Sequence, residues 1–202
     1  MRYFDIIEAA RIGTGITKAE IPQKYRQYPL LDRGTTSAVL EKDPNTVIIL
    51  TKDSIKKDWL VYELGAKFIE TFDSQHNKLG NMPIHVLEMP KLYPLSKEQK
   101  KVARDLVNVF QDKRRKRAQL GNKFWKEDLI NDFYDYFEEW NQSNAEPHML
   151  EQLINFLANY SADQYEWDLR QGNFMQDADG NLVILDPIAD KEIIDAFRGK
   201  IR

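Results

Sequence analysis

Apolar and polar positions alternate over three short stretches early in the chain, residues 28–31, 37–41 and 46–51, the last two separated by Asp43-Pro44-Asn45. Period-two alternation bounded by turn residues predicts strands, so this region reads as a small antiparallel sheet. From 57 to 71 the spacing changes: Leu60, Val61, Leu64, Phe68 and Ile69 recur at helical intervals and predict one helix with a buried face. Residues 84–88 return to a strand pattern, which Met89-Pro90 interrupts. Beyond Pro90 the pattern is helical. Ser96 stands as an N-cap before 97–111, where Val102, Leu106, Val109 and Phe110 form an apolar stripe, and further helices are predicted over 124–140 and 149–160. A sheet-rich part, about 1–90, thus precedes a helical part, about 91–202, joined at 88–95. This is an α+β layout of two lobes within a single domain.

Composition sharpens this picture by exclusion. The 202 residues, 42% apolar and 30% charged, suffice for one substantial core or two small lobes sharing one. A net charge of −3 gives no overall attraction to nucleic acid or to an anionic membrane, so neither is an expected partner. Cysteine is absent, which removes disulfides, thiolate metal sites and cysteine nucleophiles, and fits a reducing compartment. With no run of apolar residues long enough to span a bilayer and no signal-peptide pattern at 1–13, the expected location is the cytoplasm. The basic run 113–117, KRRKR, reads as a solvated face. The aromatic positions Trp125, Phe133, Tyr136, Phe137 and Trp140 read as core, and the three histidines lack metal-ligand spacing.

The densest chemistry lies in residues 167–187, WDLRQGNFMQDADGNLVILDP. Asp168 is followed five positions later by Asn173. Then come a short apolar run, a turn at Asp179-Gly180-Asn181, a strand over 182–185, and Asp186-Pro187. Phosphoryl transfer needs one carboxylate to orient or deprotonate the attacking hydroxyl. It also needs an amide oxygen and a second carboxylate to hold magnesium against the phosphates. An amide at Asn173 offers an oxygen ligand without another negative charge, Asp186 brings the charge that Mg²⁺ prefers, and Gly172 permits a tight turn before the ligand. Each piece alone is common, Asp-Gly being an ordinary hairpin turn, and the order of all of them is what carries the signal.

DLRQGNFM followed by LVILDP resembles the catalytic and metal-binding loops of protein kinases, where H-R-D-x-x-x-x-N and D-F-G bracket a hairpin. An Asp, four residues, Asn, a Met two positions on and then Asp-Pro is similar to the early serine/threonine protein kinases of short-tailed bacteriophages. The similarity is strong over 165–190 and a matter of layout elsewhere. It implies a minimal two-lobed kinase-like fold, ATP and Mg²⁺ as cofactors, Asp168 as catalytic base, and Asn173 and Asp186 as metal ligands. It also implies a host protein as substrate or target, in the host cytoplasm.

By position in that layout, the phosphate loop is D-R-G-T-T-S-A-V, with Gly34, Thr35, Thr36 and Ser37 near the phosphates. Lys52 is the strand lysine, Glu63 its expected ion-pair partner with Glu70 as the other candidate on the same helix, and Leu87, Glu88 and Met89 are hinge residues facing adenine. Several departures stand out. Glu166-Trp167 replaces His-Arg, so regulation by loop phosphorylation is not expected; Gly34 is the loop's only glycine; Lys52 sits at or past its strand's end; and 188–202 leaves no room for an activation segment with A-P-E. Two functions of different class follow: an active ATP- and Mg²⁺-dependent kinase, or a pseudokinase that inhibits or redirects a host protein by binding. An unrelated α+β fold in which both aspartates are structural is the third possibility. The acceptor and the oligomeric state are not legible.

Overall fold

The computed structural model describes residues 16–34, 36–73, 82–119, 152, 153, 155, 156, 159 and 164–200. Thr35, the helix expected over 124–140 with its aromatic residues, most of 149–160, and His76 and His148 lie outside the described residues. So do the side chains of Val109, Phe110, Lys113, Arg114, Lys116 and Arg117. The chain divides into two compact units, residues 1–91 with 193–202, and residues 92–192.

The first unit is built on a five-stranded antiparallel sheet: β1 (Leu30–Arg33), β2 (Ser37–Asp43), β3 (Thr46–Thr51), β4 (Lys67–Asp73) and β5 (Pro83–Pro90), in the order β1-β2-β3-β5-β4. Helix α1 (Ser54–Tyr62) lies between β3 and β4 in sequence. Asp53 caps it, its carboxylate accepting the Lys56 N–H at 2.8 Å.

The single helix expected over 57–71 is corrected here: α1 begins three residues earlier and ends nine residues sooner, and 67–73 is a strand. Gly65, at φ 65°, supplies the left-handed residue that stops the helix, and the Ala66 N–H satisfies the Leu60 carbonyl at 2.8 Å. Beyond that stop, Phe68, Ile69, Thr71 and Phe72 suit a pleated strand better than another helical turn. Glu70 is therefore a strand residue. β4 is also a sheet edge, which explains why Phe68 and Ile69 remain exposed although their spacing imitates a buried stripe. A register shift between Phe68 and Glu70, with Lys67 and Asp73 at its ends, discourages further pairing there.

Alternation along the strands separates two faces. Ala38, Leu40, Ile48, Leu50, Ile84 and Val86 form one, and Ile16, Ile21 and Tyr25 of the preceding segment pack on it as a single buried cluster. Val47, Ile49, His85 and Leu87 alternate to the other face. There α1, packing on β3 and β5, buries Ile55, Trp59 and Leu60, each side chain contributing roughly 1.5–3 kcal/mol. His85 lies close enough to Lys57 and Asp58 of α1 for both charges to act on it, and burial lowers its pKa.

In the second unit α2 (Lys97–Gln119) starts at Ser96, whose hydroxyl accepts the Gln99 N–H at 3.1 Å. Ala103, Leu106 and Val107 form its buried stripe. Two short ladders follow. β6 (Tyr165–Trp167) pairs with β9 (Ile188–Asp190), and β7 (Phe174–Gln176) with β8 (Leu182–Ile184). The start of α2 is tied to the second ladder by the Ser96 N–H to Gln176 Oε1 at 2.8 Å and the Gln99 Nε2 to the Gly180 carbonyl at 3.0 Å. Helix α3 (Lys191–Lys200), which from Ile193 on belongs to the first unit, ends the described chain.

Candidate functional site

Asp168 follows β6, Asn173 closes a single 3-10 turn (Gln171–Asn173) before β7, and Asp186 lies between β8 and β9. Strand register brings the three together. The pairing of Trp167 with Ile188 sets Asp168 beside Pro187, whose carbonyl accepts the Asp168 N–H at 3.0 Å. The pairing of Phe174 with Ile184 sets Asn173 beside Leu185, whose N–H donates to the Asn173 carbonyl at 2.7 Å. The hairpin between β7 and β8 is closed by Asp177, whose Oδ1 accepts the Asp179 and Asn181 N–H groups at 2.9 and 2.8 Å. Gly180, at φ 87°, takes the left-handed corner of that turn.

The buried Asn173 amide locks the arrangement. Its Nδ2 donates to the Asp168 backbone carbonyl at 2.6 Å and to the Asp186 backbone carbonyl at 2.7 Å. With the nitrogen so used, Oδ1 is the atom left to face a cation. The bonds predict a stability cost: Asn173→Ala, which leaves two carbonyls short of a donor, should destabilise by about 1–3 kcal/mol. Asn173→Asp, which cannot donate and adds a negative charge, should cost more. Thermal melting of the two variants checks the order.

Burial pushes the Asp168 carboxyl above the usual aspartate range and the nearby Asp186 charge adds to it, while Arg170 and the Asn173 amide hold it back only in part. Arg170 Nη2 stands 2.8 Å from Asp168 Oδ2. Among the described residues no three His, Cys, Asp or Glu side chains are gathered as a metal-binding group. The donor set here is instead one amide oxygen and carboxylates, which fits a hard cation that completes its shell with water and phosphate oxygens, as Mg²⁺ does.

The other expected residues lie in the first unit. Gly34 and Ser37 close the β1–β2 turn, the Gly34 N–H donating to the Ser37 carbonyl at 2.8 Å. The Thr36 carbonyl accepts the Lys52 N–H at 2.9 Å, and Ser37 Oγ donates to Thr51 Oγ1 at 3.0 Å, so this turn and the end of β3 are adjacent. Lys52 is buried, and its ammonium pairs with Glu20 Oε1 at 2.9 Å, with both side chains 2% exposed. Glu63, the expected partner, ends α1 as its C-cap, and its carboxyl is raised by burial. Glu70 instead accepts from Tyr25 Oη at 2.5 Å and pairs with Lys24 at 2.6 Å. Leu87 and Glu88 have strand neighbours on both sides, in β3 and β4, while Met89 is paired on the β3 side with Val47. Glu88 forms an ion pair with Lys42 at 2.6 Å.

Two residues escape sequence reasoning. Glu20 lies 32 positions before Lys52, and its only local sign is Thr17-x-x-Glu20, the spacing of a capping box. Thr17 donates to Glu20 Oε2 from its N–H at 2.7 Å and its hydroxyl at 2.9 Å. Arg170 stood inside the quoted motif without an assigned task. No protein-family model, curated protein or solved structure is significantly similar to this chain.

Proposed function

We propose that the protein is an ATP- and Mg²⁺-dependent phosphoryl transferase of the protein-kinase kind, acting on a serine or threonine hydroxyl of a host protein. The observation that supports this most is the Asn173 amide, which ties Asp168 and Asp186 to one point from two different ladders. The described elements begin with the glycine-containing hairpin, strand and helix of the layout that the resemblance implies, and differ from it after the helix, where two strands, β4 and β5, stand for the one expected.

In this reading Asp168 accepts the proton of the acceptor hydroxyl as its oxygen attacks the γ-phosphorus and the bond to the β-phosphate bridging oxygen breaks, releasing ADP. Its pKa, raised by burial, makes it a better proton acceptor than an ordinary aspartate. Asn173 Oδ1 and the Asp186 carboxylate would hold Mg²⁺, which when bound supplies charge neutralisation at the phosphates. The resemblance assigns Lys52 and the turn at Gly34, Thr35, Thr36 and Ser37 to the nucleotide phosphates.

A second reading, a binding protein without catalysis, is favoured by one observation: the Lys52 ammonium is already engaged and sealed with Glu20. A thermal-shift titration divides the two. A nucleotide-binding enzyme should gain about 2.7 kcal/mol of stability at a Mg·ATP concentration a hundredfold above Kd. It should also transfer labelled γ-phosphate to protein in a reaction that EDTA stops. An unchanged melting temperature at millimolar Mg·ATP favours the binding protein.

A further inference from the structure

Six of the seven buried polar or charged residues among those described gather in one place in the first unit: Glu20, Ser37, Thr51, Lys52, Asp53 and Lys56. They sit at the start of β2, the end of β3 and the start of α1, with Glu20 arriving from the segment before the sheet. Burying two charges is costly unless their geometry is good and their remaining hydrogen-bonding capacity is met. Glu20 meets those conditions. One Glu20 oxygen accepts from Lys52 and the other takes both the N–H and the hydroxyl of Thr17. The Thr17–Glu20 turn is fixed in its own right, the Glu20 N–H donating to the Thr17 carbonyl at 3.0 Å.

The turn is fastened to the sheet from both ends. Ile16 and Ile21 flank Glu20 and are buried against Leu50, Ile48 and Leu40, and Tyr25 is anchored through Glu70 of β4. Lys52 directly follows β3, and its ammonium reaches Glu20 of the segment that covers the Ile48–Leu50 side of the sheet.

We propose that Glu20 is the positioning residue for Lys52, so that the carboxylate holding the strand lysine comes from the turn before the sheet and not from the helix after the strand. The inference rests on the phosphoryl-transfer reading for its catalytic meaning. It differs from the pattern the resemblance implies, in which a helix glutamate such as Glu63 has this task.

The test uses the full chain and an acyl-phosphate derivative of ATP, which acylates a lysine held at the phosphates and releases the nucleotide phosphate as leaving group. Mass spectrometry reads the labelling of Lys52 and its protection by ATP, beside KM for ATP and kcat. In Glu20→Gln, ATP-protected labelling should fall and KM should rise at least tenfold, with kcat changing less. Glu20→Asp keeps the charge while shortening the reach, and should recover much of both. If Glu20→Gln does not fold, the graded defect of Glu20→Asp decides the matter. An active wild type whose labelling and KM are unmoved by Glu20→Asp and Glu20→Gln overturns the proposal alone, as does a larger loss in Glu63→Gln than in Glu20→Gln. A wild type that neither binds nor uses ATP overturns the phosphoryl-transfer reading and this proposal with it.

Discussion

Asp168→Asn should reduce transfer of labelled γ-phosphate by about 10²- to 10⁴-fold, the range over which a positioned general base contributes. Asp186→Asn should cost at least about 10³-fold, since charge stabilisation by a metal is worth several kcal/mol. The two variants should differ in how they fail. Excess Mn²⁺ or Mg²⁺ should partly restore Asp186→Asn, which weakens a ligand, and should leave Asp168→Asn unchanged.

The Asp168 pKa adds a pH signature. Because burial raises it in the free protein, the acid limb of kcat/KM, which reports the free enzyme, should lie at a pH above the ordinary aspartate value of 3.8. The same shift bears on stability. A carboxyl with a raised folded pKa binds more protons folded than unfolded, so ionising it costs stability as pH rises through that value. Asp168→Asn should therefore melt slightly higher than wild type at neutral pH, and the difference should vanish below pH 3.8, where both states are protonated. A variant that loses activity while gaining stability marks a carboxylate kept for chemistry. One that loses both points to a structural aspartate.

Lys52→Met should produce the largest loss of stability. With both side chains of the Lys52–Glu20 pair 2% exposed, removing the ammonium leaves the Glu20 carboxylate buried without the Lys52 charge. Breaking such a pair costs about 3–5 kcal/mol, or roughly 6–20 °C in the melting transition of a chain this size. Lys52→Met with Glu20→Gln should recover most of that loss. The amide is neutral, and its carbonyl oxygen still accepts from Thr17.

The sign with pH follows from Glu20. Burial would raise its carboxyl, but the Thr17 N–H, Lys52 and the Thr17 hydroxyl outweigh it and hold the pKa below its ordinary 4.5. The pair's contribution is therefore fully present above pH 4.5 and is lost as pH falls through the lower folded value. The gap between wild type and Lys52→Met should close in acid. Phosphoryl transfer should be lost in the single and the double variant alike; a stable, active double variant would assign Lys52 a structural role only.

Local signals told most where the structure is local. The strands β2 and β3, the Asp43 turn, the Ser96 cap and the Asp179-Gly180-Asn181 turn with its following strand could be read directly, because turn residues and period-two alternation act over a few positions, whereas β1 lies two residues later than expected and β5 runs on through Met89 and Pro90. The helix over 57–71 misled because Phe68 and Ile69 fall at helical intervals while standing on an exposed edge strand. Gly65 was the contrary signal inside that window. The motif marked Asp168, Asn173 and Asp186, and the two ladders supply the physical reason they can meet. What the motif could not reveal was the Asn173 bond pattern, since it depends on the backbone carbonyls of residues 5 and 13 positions away. Glu20 was hidden for the same reason at greater range, its pairing with Lys52 being set by the packing of Ile16 and Ile21 on the sheet.

A crystal structure with Mg²⁺ and a non-hydrolysable ATP analogue tests the central assignment most directly. The account predicts a metal about 2.0–2.1 Å from an Asp186 carboxylate oxygen and from Asn173 Oδ1, bridging to phosphate oxygens. It also predicts the Asn173 amide nitrogen still on the carbonyls of Asp168 and Asp186. A nucleotide bound with its metal away from Asn173 and Asp186, or an Asp168 carboxylate turned from the γ-phosphate, would contradict it.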